Sequence, residues 1–452
     1  MSTSTTTHPP MSSNALVRTP TLAAVSCLSG FIFGFDLGVV PGAMMFVRVE
    51  FGLDHLWQQV LVSAAISGAA FASVLALGIV GVLGRRNTLI FASALFQFGA
   101  ILLAVSPTFS LLLAGRTVQG LAIGLSSTTT PGLIADFSPS QSRGALLSSY
   151  PLSIVSGQFL AALTAALVGQ FELSWRLLFG VVFVPSCALC LICVFYIRRP
   201  ALLPKHSVIF AAPSNSSQSW LSFWRQSTVR RLLLIGCMLH AVQQFSGINT
   251  IMYYCATIIE SAGVTHPVTA LWLVCIPFAL FVCVMLVVVP MVDKLGRKPL
   301  LCISLIGVFI SLLALAAGFA IPNSHIIVLC AITVYIMFFA IGLAGLPWTI
   351  TAELYPTSSK TQCAAIVTTV NWTSNLVISL TFLTLFDTLG RTGAYLLYAG
   401  ITFIGILVIV CALPETRGQD PETLHTTVSA VPLLQRGQSK NRGSDDSTTV
   451  IS

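Results

Sequence analysis

The sequence predicts an all-α membrane protein with twelve transmembrane helices in two pseudo-symmetric six-helix halves. Three observations lead there. Charged residues are 8% of the 452 and hydrophobic ones 55%, against about 25% charged in a soluble domain. Apolar runs of about 20 residues, the length that crosses a bilayer, recur along the chain. The two halves of the chain repeat one another's punctuation. A water-facing surface cannot be built from so few charges, and the net charge of +8 is a topology signal rather than a nucleic-acid one.

Taken in order, the spans fall near 21–45, 57–82, 87–105, 109–135, 144–169 and 176–197 in the first half. They fall near 231–259, 268–291, 299–320, 326–352, 362–386 and 393–413 in the second. An even number of spans puts both termini on one side. Of the 22 Lys and Arg, the segments on that side hold nearly all, among them Arg85, Arg86, Arg143, Arg230, Arg231, Lys294, Arg297, Lys298 and Lys360. The opposite side has Arg48, Arg176 and Arg391, and Arg116 is the basic residue inside a span. The positive-inside rule makes the termini cytosolic, with the plasma membrane as the expected location.

Residues 1–20 form a polar, Ser/Thr-rich cytosolic N-terminus without a cleavable signal pattern, so the first span is expected to direct insertion. The domains are then 21–197, a cytosolic linker 198–230 rich in Pro, Ser and Asn, 231–413, and a cytosolic tail 414–452. The 12 cysteines lack zinc-like spacing and read as small apolar residues. Asn215 and Asn371 start glycosylation triplets, one in the linker and one inside a span, where neither is expected to be modified.

The repeat is visible residue by residue. Gly34-Phe35-Asp36 aligns with Gly247-Ile248-Asn249, and Gly84-Arg85-Arg86 with Gly296-Arg297-Lys298. Pro131, Asp136, Pro139 and Arg143 fall against Pro347, Glu353, Pro356 and Lys360 at a nearly constant offset. Internal repeats of this kind imply a substrate site at the interface of the halves, near mid-membrane, with alternating access by rocking.

Polar residues within the spans are the candidates for chemistry. Asp36 is an ionisable group in an apolar helix, costing about 2.5–3.5 kcal/mol to insert on translocon scales. Arg116 is its expected partner, since both lie about 10 Å below the same face at 1.5 Å per residue. Burial favours the protonated form of a carboxyl and a neighbouring guanidinium the ionised form. A movement that changes their separation therefore loads or releases a proton; the plainer alternative is a static pair fixing the first span on the fourth. Gln158, Gln243, Gln244, Asn249 and Asn371 each offer donors and an acceptor, which suits neighbouring hydroxyls, with interhelical glue as the alternative. Trp348, Trp372 and Tyr253 add apolar faces and polar tips. No charged cluster accompanies them, so the expected ligand is neutral. Gly342, Gly345 and Pro347 weaken the tenth span as a moving gate would require, with a passive packing kink as the alternative. His240 reads as a packed helix residue rather than a ligand.

With these residues in view, the chain resembles the sugar-porter branch of the major facilitator superfamily from about Gly30 to Gly418. The resemblance rests on Gly30–Val40 in the first span, Gln243-Gln244-Phe245-Ser246-Gly247-Ile248-Asn249 in the seventh, and Pro414-Glu415-Thr416-Arg417-Gly418 after the last. Within that branch it is most similar to proton-coupled myo-inositol symporters, through Ser246–Tyr254, Leu56-Trp57-Gln58 and Pro347-Trp348-Thr349. Pro151 stands where hexose carriers usually have Gln, and Ala340 where they often have Glu. The chain also departs from the family: Arg198-Arg199-Pro200 replaces its motif after the sixth span, Gly81-Val82 its Asp-Arg, and Asp136 its Glu.

The resemblance implies the superfamily's fold and a secondary active transporter that moves a neutral polyol, first of all myo-inositol, with a proton. It implies that Asp36 couples the proton, and that Arg85, Arg86, Asp136, Arg143, Arg297, Glu353 and Glu415 close a cytosolic gate. A hexose carrier of the same fold is the alternative, and a non-transporting sensor a more distant one. No enzyme motif, metal site or bound cofactor is expected, the proton being the coupling ion. The expected partners are the small neutral polyol or sugar, protons and the bilayer, with no nucleic acid, and the protein is expected to act as a monomer.

Overall fold

The structure, a computed structural model, describes residues 19–139, 142–171, 174–197, 227–322, 324–355 and 359–417. Most of residues 1–20, most of the linker and of the tail, Asn215, Arg198-Arg199-Pro200, Pro356 and Gly418 lie outside them. Among the described residues, twelve helices are long and apolar enough to cross a membrane. In the first half these are α1 (Thr19–Glu50), α2 (His55–Ala76), α3 (Gly78–Ala104), α4 (Phe109–Phe137), α5 (Arg143–Gln170) and α6 (Arg176–Phe195). The second half has α7 (Ser227–Ser261), α8 (Pro267–Val288), α9 (Arg297–Ala320), α10 (His325–Leu354), α11 (Gln362–Thr388) and α12 (Gly390–Ala412).

Local chemistry starts and breaks these helices. The Asp54 carboxylate accepts from Trp57 N–H to open α2, and the Thr108 hydroxyl accepts from Leu111 N–H to open α4. Both are N-caps that satisfy otherwise orphaned donors. Pro267 begins α8, where its missing N–H costs nothing. Sharp breaks interrupt α7 at Gly247, which is left-handed at φ 90°, and α10 between Ile341 and Leu346.

Small residues bring the helices close. A Cβ on Gly34 of α1 would lie 1.8 Å from the Ile154 carbonyl oxygen of α5, so only glycine lets these backbones meet. The outer surface carries large exposed apolar side chains such as Phe71, Phe98, Ile310 and Ile404. That pattern suits a lipid-facing belt, where lipid and not water is the solvent.

The repeat inferred from the sequence is repeated in backbone conformation. Gly84 has φ 75° and ψ 158°, and Gly296 has φ 92° and ψ 162°. Both glycines turn the chain at the same place in each half, immediately before Arg85 and Arg297. We call this the termini face, because Thr19 and Arg417 end there, and the opposite one the far face. On the far face the halves are tied together. Arg48 of α1 pairs with Glu260 of α7 at 2.7 Å, His55 of α2 with Asp387 of α11 at 2.6 Å, and Trp272 of α8 donates to Gln170 of α5 at 3.4 Å.

Candidate functional site

Two polar groups lie in the middle of the bundle, and they differ in kind. The first is an ion pair in the first half. Arg116 donates from one terminal nitrogen to both Asp36 carboxylate oxygens at 3.0 Å. Asp36 is 0% and Arg116 2% exposed. The same nitrogen donates to Gln119 Oε1 at 3.1 Å, and the guanidinium carbon lies 5.6 Å from the Phe179 ring centre. Tyr253, from α7 in the other half, is within electrostatic reach of both Asp36 and Arg116.

The second group is a web of amides in the second half, built around the break in α7. Gln243 Nε2 donates to the Leu343 carbonyl in the break of α10 at 2.6 Å. Its Oε1 accepts from Asn371 Nδ2 of α11 at 2.8 Å and from Gln244 Nε2 at 3.4 Å. Asn249, returned by the turn at Gly247, donates to Gln244 Oε1. Asn371 Nδ2 also contacts His240 Nδ1 at 3.0 Å, so the neutral ring accepts there. Trp348 of α10 packs edge-on against His240 with ring centres 4.5 Å apart and is 44% exposed. Trp372 meets Phe33 of α1 across the halves at 6.4 Å. Asn375 reaches the Tyr253 hydroxyl at 3.4 Å and accepts from Ser379.

Gln243, Gln244, Asn249, Trp348 and Asn371 therefore form one cluster, with Trp372 beside it and Tyr253 leading toward the ion pair. Gln158 stands apart on α5, buried against Gly38, with no partner for its Oε1 among the described residues. Gln243 is a hub whose amide holds three partners, while Gln244 has one partner at each end and Asn249 and Gln158 have oxygens left for hydroxyl groups. Sequence reasoning passed over Gln119 and Asn375. Asn375 was findable, since it follows Asn371 by one helical turn and shares its face. His240 is buried, as a packed residue should be, but it also holds Asn371 and Trp348 in place.

On the termini face each half has a charge pair of its own. Arg85 pairs with Asp136 at 2.6 Å, and Arg143 donates to the Ser138 carbonyl at 3.3 Å. Arg86 donates to the Cys193 and Val194 carbonyls that end α6, so it contacts a helix end rather than a carboxylate. In the second half Arg297 pairs with Glu353 at 2.9 Å. Lys298 donates to the Val410 and Leu413 carbonyls that end α12, as Arg86 does for α6. Glu415 accepts from the backbone N–H groups of Arg297 and Lys298, capping α9, and Thr416 links it to Glu353. Burial alone would raise the Glu415 carboxyl, but backbone N–H donors from Arg297, Arg417, Lys298 and Thr416 hold it below the usual range.

Known proteins resemble this chain in sequence and fold. The family model described as sugar (and other) transporter matches residues 22–198 and 205–427. A proton myo-inositol cotransporter of Homo sapiens is 29% identical over 90% of this chain and 81% of its own length. A galactose-proton symporter of Escherichia coli (strain K12) is 28% identical over 87% of this chain and 90% of its own. A glucose transporter of Staphylococcus epidermidis is 29% identical over 88% and 95%. An inward open structure of the xylose transporter XylE from E. coli superposes with a TM-score of 0.74 at 22% identity, covering 90% of this chain and 98% of the other. The chain belongs to the sugar transporter family, a family of membrane transporters of the major facilitator fold and not of enzymes.

Proposed function

We propose that the chain is a secondary active transporter that carries a neutral polyol, myo-inositol first among them, together with a proton. The observation behind this reading is the division of the bundle's centre into a charged pair and an uncharged amide web. An amide web gives and takes hydrogen bonds without selecting for charge, which suits a molecule whose surface is hydroxyl groups. The carboxylate beside it has one buried cation as partner, so its protonation and its geometry are coupled. One proton carried inward moves one charge, about 2.3 kcal/mol per 100 mV, enough to concentrate a neutral solute tens-fold.

In this reading Gln158, Gln244 and Asn249 contact the substrate, and Gln243 and Asn371 hold the break of α7 in register. Tyr253, Trp348 and Trp372 form its apolar walls, and Asp36 with Arg116 carries the proton. The far face, closed by Arg48–Glu260 and His55–Asp387, is the external one, and the termini face is cytosolic. Arg85, Arg86, Asp136, Arg143, Arg297, Glu353 and Glu415 shape the cytosolic gate, each half's set moving as a unit. A monomer in the plasma membrane fits a fold whose site lies between its own two halves.

A hexose as substrate is the second reading, favoured by relatives named for galactose and glucose at nearly the same identity as the one named for myo-inositol. Uptake of labelled myo-inositol and glucose into vesicles, each with and without an inward proton gradient, separates the two. Gradient-driven accumulation of myo-inositol that excess unlabelled glucose leaves intact is the expected result. Accumulation of glucose alone establishes the second reading, and accumulation of neither removes both.

A further inference from the structure

Among the described residues, Arg116 hydrogen-bonds to Asp36 and Gln119 alone. On one side its surroundings are apolar: a small cavity bounded by Arg116 is lined by Val40, Ala43, Met44, Leu61 and Phe179. Gln119 is one turn below Arg116 on α4 and 0% exposed. It is also closely fitted, since a Cβ on Gly99 of α3 would lie 2.7 Å from its Cγ. A long amide here in place of an apolar side chain is costly unless its polar atoms are used. Its oxygen is used, by Arg116. Its Nε2 has no partner among the described residues.

Resting on the reading of Asp36 as the proton site, we propose that Gln119 is a positioning residue for proton coupling, the acceptor that keeps Arg116 in place when Asp36 is neutral. The physical problem is a buried guanidinium that loses its counter-charge once per cycle. A protonated carboxyl offers a weaker acceptor than a carboxylate, and the apolar lining offers none. Gln119 Oε1 then becomes the principal acceptor. Its free Nε2–H is a donor that a neutral Asp36 carbonyl can accept, so the amide serves the protonated state on both ends.

Among the described residues, the ionisable group that faces Asp36, Arg116 and Gln119 from the other half is Tyr253 of α7. The packed neighbours on α2, α3 and α6 are Leu61, Val62, Gly99 and Phe179, none of them ionisable. Gln158 on α5 beside Gly38 is likewise uncharged. Tyr253 is a phenol that titrates far above the pH range of the assay, so changing Gln119 to an uncharged residue acts on the Asp36 proton.

The test is the pH dependence of myo-inositol or glucose uptake, whichever the wild type accumulates, by purified protein in vesicles, normalised to protein present. Gln119→Leu removes the acceptor that serves the neutral state, so Asp36 protonates less readily and the pH of half-maximal uptake moves about one unit to the acid side. Gln119→Glu adds a second carboxylate to one arginine, so the first proton binds more readily and the midpoint moves about one unit to the alkaline side. A purely structural role lowers the maximal rate of both variants without moving the midpoints in opposite directions. Midpoints that stay at the wild-type value, or move the same way, overturn the proposal. If the leucine variant fails to reach the membrane, the direction of the glutamate variant decides. Asp36→Asn, run alongside, separates this failure from that of the underlying reading: uptake that still follows the proton gradient in Asp36→Asn refutes the reading itself.

Discussion

The two halves share a scaffold at the termini face and part company in the middle of the membrane. Each has a positive-φ glycine before an arginine, Gly84 then Arg85 and Gly296 then Arg297. Each arginine pairs with a carboxylate at the end of a helix, Asp136 or Glu353. The next basic residue, Arg86 or Lys298, donates to the carbonyls that end the last helix of its half. A basic group at a helix C-terminus is favoured by the dipole, so the same local solution serves twice. In mid-membrane the first half places an ion pair, whereas the second places neutral amides. The frame is repeated and the mid-membrane chemistry is not: charge on one side and neutral amides on the other.

The frames also differ in strength, and this yields the largest expected effect. Arg297 holds Glu353 through several hydrogen bonds, and Glu415 ties the start of α9 to the chain after α12. Arg297→Gln removes the several charge-assisted hydrogen bonds to Glu353 and should cost about 2.5 kcal/mol. Thermal unfolding in detergent, followed by a thiol-reactive dye at the buried Cys255 and Cys363, reads this as a clear loss of stability. An unchanged transition would mean that the second frame is no stronger than the first.

Next comes recognition. Gln244→Ala or Asn249→Ala should weaken apparent substrate affinity by about 2 kcal/mol, roughly 30-fold, while Cys275→Ser, buried on α8, leaves it unchanged. Uptake kinetics at varied substrate concentration check this, and wild-type affinity in both amide variants removes them from the site.

Glu415 gives a smaller effect with a pH signature. Its folded carboxyl is held below the ordinary value of 4.5, so its contribution is full above that value. The contribution is lost as pH falls through the lowered folded one. Glu415→Gln should destabilise by about 1.5 kcal/mol at neutral pH, and the gap from wild type should close on acidification below about pH 4.5. A gap that persists there would show that the carboxylate charge is not the cause.

The smallest effect is expected in the first frame. Arg85→Gln should cost about 1 kcal/mol, measured by the same dye assay. A loss equal to that of Arg297→Gln would erase the asymmetry between the halves.

Much of this was legible in the residues because the bilayer leaves few choices. Apolar runs of fixed length must be helices, and Gly-Arg pairs at matched spacing announce the repeat. Asp36 and Arg116 stood out because charge inside a span is rare, and their depths matched. What was not legible depends on neighbours brought from other helices. Nothing in the spacing of Gln243 shows that its amide is consumed by Leu343 and Asn371. Nothing in the sequence shows that Arg86 reaches the carbonyls that end α6. Gln119 is an ordinary polar residue in the sequence, and only the fold sets it against Arg116.

The division of labour is tested most directly at Asp36. Asparagine mimics the neutral carboxyl in size and hydrogen bonding but cannot release a proton. In vesicles, Asp36→Asn should lose substrate-coupled proton current and accumulation against a gradient, while exchange of labelled for unlabelled substrate survives, since the amide web of the second half is untouched. Surface labelling controls for any loss of expression caused by leaving Arg116 without its counter-charge. A well-expressed Asp36→Asn carrier that still concentrates substrate with inward proton current would contradict the account and turn attention to Asp136.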